Sequence, residues 1–130
     1  MTECFDFKFE LRDSLTARIG RKSEWPYSIR VARELLDLIH AQLGQVGMLR
    51  FLRCAEAASR AFKEPSNRAT LYSDHLSQAL ARDFATEHDK RQDAVWNIFL
   101  AAHRITGQEQ CDLLIDCAIE ALQVDLALVP

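Results

Sequence analysis

Hydrophobic and charged residues alternate strictly at the start of the chain. Single charged residues separate Phe5, Phe7, Phe9 and Leu11, which is the two-residue period of a half-buried β-strand. An amphipathic helix is the alternative, because Phe5 and Phe9 are also four residues apart. We favour the strand, and we therefore predict an extended N-terminal segment over residues 1–12.

Beyond this segment the apolar residues recur at the spacing of three and four that is typical of helices packed on one face. The pattern predicts a first helix from Tyr27 to Leu43 and a second from Gln45 to Phe62, with Gly44 between them. Three more helices are expected over about 66–85, 86–105 and 107–122. The Thr106 to Glu109 stretch has the form of a capping box and is expected to open the fifth helix.

Two interpretations fit the end of the chain. Val124, Leu126 and Leu128 alternate like a strand, whereas Leu122, Leu126 and Val129 keep a helical spacing. We favour continuation of the last helix. The N-terminal strand then has no partner within its own chain, and we expect it to pair with a second copy or with another protein by strand addition.

These elements predict an all-α protein, a compact bundle of about five helices with a short N-terminal extended segment. At 130 residues the chain is expected to form one domain, 1–130, with its helical core at 27–124. We detect no internal repeat. The apolar stretches are too short for a membrane span and the start lacks the order of a secretion signal, so we expect a cytoplasmic protein.

Four cysteines and four histidines show no catalytic or metal-binding spacing. Cys54, Cys111 and Cys117 fall within apolar helical patterns, so we expect them to be reduced core residues. The sequence has no Gly-rich phosphate loop, nucleophile elbow or metal motif. We therefore predict no enzymatic activity, no cofactor and no metal site.

Charge is distributed unevenly along a chain whose net charge is −3. The segment from Ile105 to the C-terminus carries five acids and no Lys or Arg. Asp112, Asp116 and Glu120 are four residues apart, so they line one helix face and repel one another. We call these three residues the acidic stripe. Basic residues from the second helix or from a partner are expected to neutralise it.

A basic segment with interleaved aromatics precedes and enters the first predicted helix. Arginine and lysine can hold phosphates while aromatic rings stack on bases. DNA binding, as part of a transcriptional regulator, is therefore the alternative function, although the acidic net charge argues against it. The residues of this basic segment are Arg18, Arg21, Lys22, Trp25, Arg30 and Arg33.

The function that we favour is non-enzymatic. We expect a small regulatory or adaptor protein that binds another protein, as a homodimer, and an inhibitor that sequesters a regulator or an enzyme fits this description. The N-terminal aromatic segment would be buried against the partner, and the acidic stripe and the basic segment would set its orientation. The predicted partner-binding residues are Phe5, Phe7, Phe9, Leu11, Asp112, Asp116 and Glu120.

Overall fold

The residues that the structure describes form four α-helices, where the sequence predicted five. The structure is a computed structural model that describes residues 5–64, 71–84 and 90–127, and it contains no strand in those ranges. A 3₁₀ turn, Lys22–Glu24, joins the first two helices. The four helices are α1 (Phe7–Ile19), α2 (Tyr27–Lys63), α3 (Tyr72–Phe84) and α4 (Lys90–Ala127).

The predicted N-terminal strand is wrong, because Phe7 to Leu11 form the start of α1. The side chain of Asp6 caps this helix and accepts a hydrogen bond from the backbone N–H of Phe9 at 3.2 Å. Phe7, Leu11 and Leu15, which are four residues apart, are buried in the core. The four-residue spacing therefore decides the structure over the two-residue alternation. Residues 1–4 lie outside the described residues.

The long helices α2 and α4 each contain a break at a glycine. Gly44 has a φ of 73° and Gly107 a φ of 80°, in a region that essentially only glycine occupies. Helix ends were predicted at both glycines, and both breaks are confirmed. The predicted capping box is wrong, because the Thr106 hydroxyl donates instead to the carbonyl of Ala102 at 2.9 Å.

The last helix continues past residue 122, as the sequence favoured. It reaches Ala127, and residues 128–130 lie outside the described residues. The predicted starts of the third and fourth helices, near 66 and 86, also fall outside them. Cys54, Cys111 and Cys117 are confirmed as buried, reduced cysteines.

The helices repeat, although the sequence analysis found no repeat. The short helices α1 and α3 have 13 residues each, and the long helices α2 and α4 have 37 and 38. Gly44 is the eighteenth residue of α2 and Gly107 is the eighteenth residue of α4. The chain therefore consists of a first half, α1 with α2, and a second half, α3 with α4.

The buried positions repeat with the same register. Met48, Phe51 and Leu52 of α2 are buried, and so are Cys111, Leu114 and Ile115 at the corresponding places after the break in α4. Phe7 begins α1 and stacks on His40 at 4.8 Å, while Tyr72 begins α3 and stacks on His103 at 4.2 Å. Identical residues at corresponding positions are His40 and His103, Gln45 and Gln108, Cys54 and Cys117, Ala55 and Ala118, and Ala58 and Ala121.

Each short helix packs chiefly on the long helix of the other half. The helix α1 lies mainly against α4, and α3 lies mainly against α2, while α2 and α4 form the largest contact between helices. The apolar side chains of all four helices belong to one continuous core. Neither half can therefore bury its apolar surface without the other.

Replacement of either glycine at a helix break is expected to destabilise the protein. Gly44→Ala and Gly107→Ala each force an L-residue into a backbone conformation that costs about 1–3 kcal/mol. No atom lies within 4 Å of the added Cβ at either position, so the loss reports the backbone alone. Urea unfolding followed by circular dichroism measures it. Gln42→Ala, at an exposed helical position, is the control and should change stability by less than about 0.5 kcal/mol. A Gly44→Ala protein as stable as the parent would contradict this explanation.

Each half of the chain is expected to fold only when the other half is present. Fragments 1–66 and 67–130, expressed alone, should show little helix by circular dichroism, because each lacks the surface that covers its short helix. An equimolar mixture should regain the helical spectrum and elute as a one-to-one complex in size-exclusion chromatography. A cooperatively folded single fragment would show that the halves are independent.

Candidate functional site

Two hydroxyl groups meet between α2 and α3. The Tyr72 hydroxyl donates to the carbonyl of Ala55 at 2.8 Å, and the Ser59 hydroxyl donates to the same carbonyl at 3.0 Å. The two hydroxyl oxygens are 3.2 Å apart. Both side chains are buried, so these hydrogen bonds remove the cost of burying polar groups in the core.

The side chain of Gln108 extends these contacts to α4. Its amide nitrogen donates to Ser59 Oγ at 3.2 Å and to Asp112 Oδ1 at 2.8 Å. Its amide oxygen lies 2.8 Å from His103 Nε2 and can only accept, so we assign the proton of the imidazole to Nε2. The connected residues, which we call the polar network, are Ser59, Tyr72, His103, Gln108 and Asp112.

An ion pair links the polar network to the end of α2. The ammonium group of Lys63 contacts Asp112 Oδ2, and this hydrogen bond raises the pKa of Lys63. A cleft of about 200 Å³ opens beside the pair, between α2 and α4. The network therefore reaches from a buried Tyr–Ser pair to solvent.

The weakly acidic groups at this site stay protonated at neutral pH. Burial raises the pKa of the Tyr72 hydroxyl well above its ordinary value, and burial raises the pKa of the Cys111 thiol to about 12. The phenol therefore acts as a neutral hydrogen-bond donor. This chemistry holds and orients groups, and it supplies no activated nucleophile at Tyr72 or Cys111.

The polar network has only a partial polar equivalent in the other half of the molecule. His40 and Gln45 match His103 and Gln108, but the remaining positions are apolar. A buried polar network usually costs stability relative to well-packed apolar residues. Because the other half folds with apolar residues at these positions, the fold does not require polar ones there. We therefore take this end of the molecule as the candidate site. Tyr72 corresponds to Phe7, Ser59 to Leu122, Asp112 to Leu49 and Lys63 to Leu126.

The acidic stripe is partly neutralised within the chain. Arg18 of α1 contacts Glu120 at 2.7 Å, and this hydrogen bond lowers the pKa of Glu120. Asp112 is held by Lys63, whereas Asp116 is exposed and has no ion pair among the described residues. The cations expected from the second helix included Arg50, Arg53 and Arg60, but the two pairs described here use Arg18 and Lys63. Arg53 and Arg60 contact Glu56 instead.

The four N-terminal residues predicted to bind a partner differ in how far they are buried. Phe7 and Leu11 are core residues and cannot meet a partner without unfolding the helix. Phe5 is partly buried beside His40, with ring centroids 6.1 Å apart. Phe9 alone points outward, with 49% of its surface exposed.

In the basic segment predicted to bind nucleic acids, Trp25 packs in the core and cannot stack on a base. Trp25 is buried and donates its indole N–H to the carbonyl of Gly20 at 2.7 Å. Arg33 is also buried. Its guanidinium lies 5.8 Å from the Trp25 ring and donates to the carbonyl of Lys8 at 3.0 Å. Burial lowers the pKa of Arg33. The cations Arg21, Lys22 and Arg30 remain exposed at the surface, and Tyr27 is the exposed aromatic residue between Lys22 and Arg30.

Sequence reasoning missed most of the polar network. It named Asp112 but not Ser59, Tyr72, His103 or Gln108, because these residues come from three helices and share no motif. The sequence does contain a sign of the repeat. His40, Gly44 and Gln45 have the same spacing as His103, Gly107 and Gln108. Aligning the two halves on these residues would have exposed Ser59 and Asp112 as polar substitutions at apolar positions.

His40 is expected to make stability depend on pH. Its Nε2 atom is buried without a hydrogen-bond partner, and burial lowers its pKa more than Asp37 and Asp6 raise it. Below pH 6.5 the unfolded chain therefore binds a proton that the folded chain resists, and the free energy of unfolding falls. His40→Phe keeps a ring stacked on Phe7 and removes this contribution. Urea unfolding between pH 5 and 8 should show a smaller loss on acidification in the variant, and equal losses would contradict the assignment.

The described residues contain no group of three or more His, Cys, Asp or Glu side chains that could hold a metal ion. None of the helices, over the described ranges, is long and apolar enough to cross a membrane. A scan against protein-family models, a search of curated proteins and a search of solved structures each found no match to this chain.

Proposed function

We propose that this protein is a small, non-enzymatic regulatory or adaptor protein of the cytoplasm that acts by binding another protein, and that it forms a homodimer. The observation that carries the proposal is a row of apolar side chains along the outer face of α2. We call it the α2 stripe, and it consists of Tyr27, Val31, Leu35 and Leu38.

The α2 stripe exposes apolar side chains along one face of the helix. Tyr27 is 79% exposed and Leu38 is 52% exposed, while Val31 and Leu35 between them are partly buried. Their spacing of four, four and three residues places them on one face of the helix. Isolated apolar residues are common on protein surfaces, but a continuous row of them is typical of an interaction site.

Charges beside the stripe favour a second copy as the occupant. Arg30 and Glu34 are four residues apart on the flank of the stripe. Both are exposed, and Glu34 also contacts Lys8 of its own chain at 2.8 Å. In an antiparallel contact between two copies of α2, Arg30 of each copy would face Glu34 of the other. Such a contact buries the stripe against itself and is self-complementary, as a symmetric dimer requires.

This surface replaces the N-terminal strand as the means of self-association. The backbone hydrogen bonds of Phe7 to Leu11 are made within α1, so no unpaired strand edge is left there. Buried thiols at Cys54, Cys111 and Cys117 are compatible with a reducing compartment and support the cytoplasmic assignment. The proposal assigns no reaction to the polar network.

A charge placed in the α2 stripe is expected to break the dimer. In multi-angle light scattering the parent protein should have twice the mass of the chain, and Leu38→Asp should have the mass of one chain, because an unpaired carboxylate would be buried at the contact. Leu71→Asp changes an equally exposed leucine away from the stripe and should leave the dimer intact.

A parent protein of single-chain mass at all concentrations would overturn the homodimer. Copurification from the native host, with mass spectrometry of the bound proteins, tests the wider proposal. A partner captured by the parent and by Leu71→Asp, but not by Leu38→Asp, would support it. Capture of the same proteins by all three chains would count against the α2 stripe.

A further inference from the structure

The cleft between α2 and α4 brings opposite charges onto facing walls. It has a volume of about 200 Å³, and Ser59 lies at its buried floor. Drug-sized ligands occupy larger pockets, of roughly 300–1,000 Å³, so this cleft fits a smaller molecule. Its polar lining consists of Glu56, Ser59, Arg60, Lys63, Asp112 and Asp116.

Two of the lining residues are available to a ligand. Asp116, on the α4 wall, is exposed and has no ion pair among the described residues. Arg60, on the α2 wall, contacts Glu56 at 3.2 Å but keeps 76% of its side chain exposed. Arg53 also contacts Glu56, at 3.4 Å, so Glu56 stays paired if Arg60 turns towards a ligand.

The remaining charges fix the walls in place. Lys63 of α2 and Asp112 of α4 form an ion pair across the cleft, and Gln108 ties Asp112 to Ser59. When neighbouring residues already hold the polar groups of a site, less conformational entropy is lost on ligand binding.

The other half of the molecule shows that the fold does not need this polar lining. Glu56 and Ser59 correspond to Ile119 and Leu122, which are buried in the core. Asp112 corresponds to Leu49, a partly buried residue packed against the core. The polar residues at one end therefore serve something other than the packing of α2 against α4.

We propose that this cleft binds a small zwitterion of the amino-acid class. The ligand's ammonium group is held by Asp116 and its carboxylate by Arg60, and the Lys63–Asp112 pair closes one end of the cleft. A simple anion would meet the Asp116 carboxylate without compensation, and a simple amine would meet the Arg60 guanidinium in the same way. A ligand with both charges satisfies both walls.

The test is a titration of the full-length protein with free amino acids. Each of the protein amino acids is added singly at millimolar concentration, and binding is followed by ¹H–¹⁵N NMR shifts of the cleft residues and by thermal unfolding. At least one amino acid should shift the signals of Ser59, Arg60 and Asp116 and raise the unfolding temperature. Its decarboxylated amine and its deaminated acid should each bind about tenfold more weakly or worse.

Variants separate binding from folding. Arg60→Gln and Asp116→Asn should each weaken binding by about tenfold or more, because each removes a charge-assisted hydrogen bond. Arg12→Gln, which removes an exposed arginine of α1 outside the cleft lining, should bind as the parent does. The double variant Ser59→Leu with Asp112→Leu introduces the residues of the other half and should remain helical but lose binding.

Three results would overturn the proposal. The first is the absence of any shift with every amino acid tested. The second is equal binding by the single-charge analogues, which would remove the requirement for a zwitterion. The third is unchanged binding by Arg60→Gln and Asp116→Asn, which would place the ligand elsewhere. None of these variants alters the α2 stripe, so the homodimer is tested separately.

Discussion

The backbone at Gly44 and Gly107 is the constraint on which the rest of the structure depends. In an uninterrupted helix with 3.6 residues per turn, the buried positions after Gly44 would lie roughly a third of a turn away from those before it. One part of α2 would then turn its apolar face to solvent. The positive φ at the glycine realigns the two parts, so that Ile39 and Met48 both lie in the core. The same break at Gly107 does this for α4.

These two breaks also explain why the halves are interdependent. Each realigned long helix offers an apolar surface that the short helix of its own half covers only in part. The other long helix and the short helix of the other half cover the rest. The stacked pairs Phe7–His40 and Tyr72–His103 fix the start of each short helix against its own long helix. Contacts within a half thus set positions. Most contacts between helices join the two halves, where apolar burial stabilises the fold.

The sequence predicted those parts of the fold that depend on local spacing. Helical periodicity and glycine gave the helix from Tyr27, the breaks at Gly44 and Gly107, and the buried cysteines. The N-terminal segment was misread because residues 5–11 satisfy two periods at once. Only Leu15, one helical turn beyond, and the capping side chain of Asp6 favour the helix. The ion pairs of the acidic stripe depended on tertiary packing, since Arg18 lies on α1, far from Glu120 along the chain.

The candidate site was beyond prediction from local patterns for a related reason. A single polar residue among the apolar residues of a helix face, such as Ser59, barely changes the hydrophobic pattern. Its role depends on the residues that face it in the folded protein. Comparison of the two halves indicates that role without any relative of the protein. Where both halves keep a residue, as at His40 and His103, the shared fold accounts for it. Where one half replaces leucine by serine or aspartate, packing does not account for the change, because the other half packs well without it. The polar network is therefore the feature of this fold that packing alone does not explain.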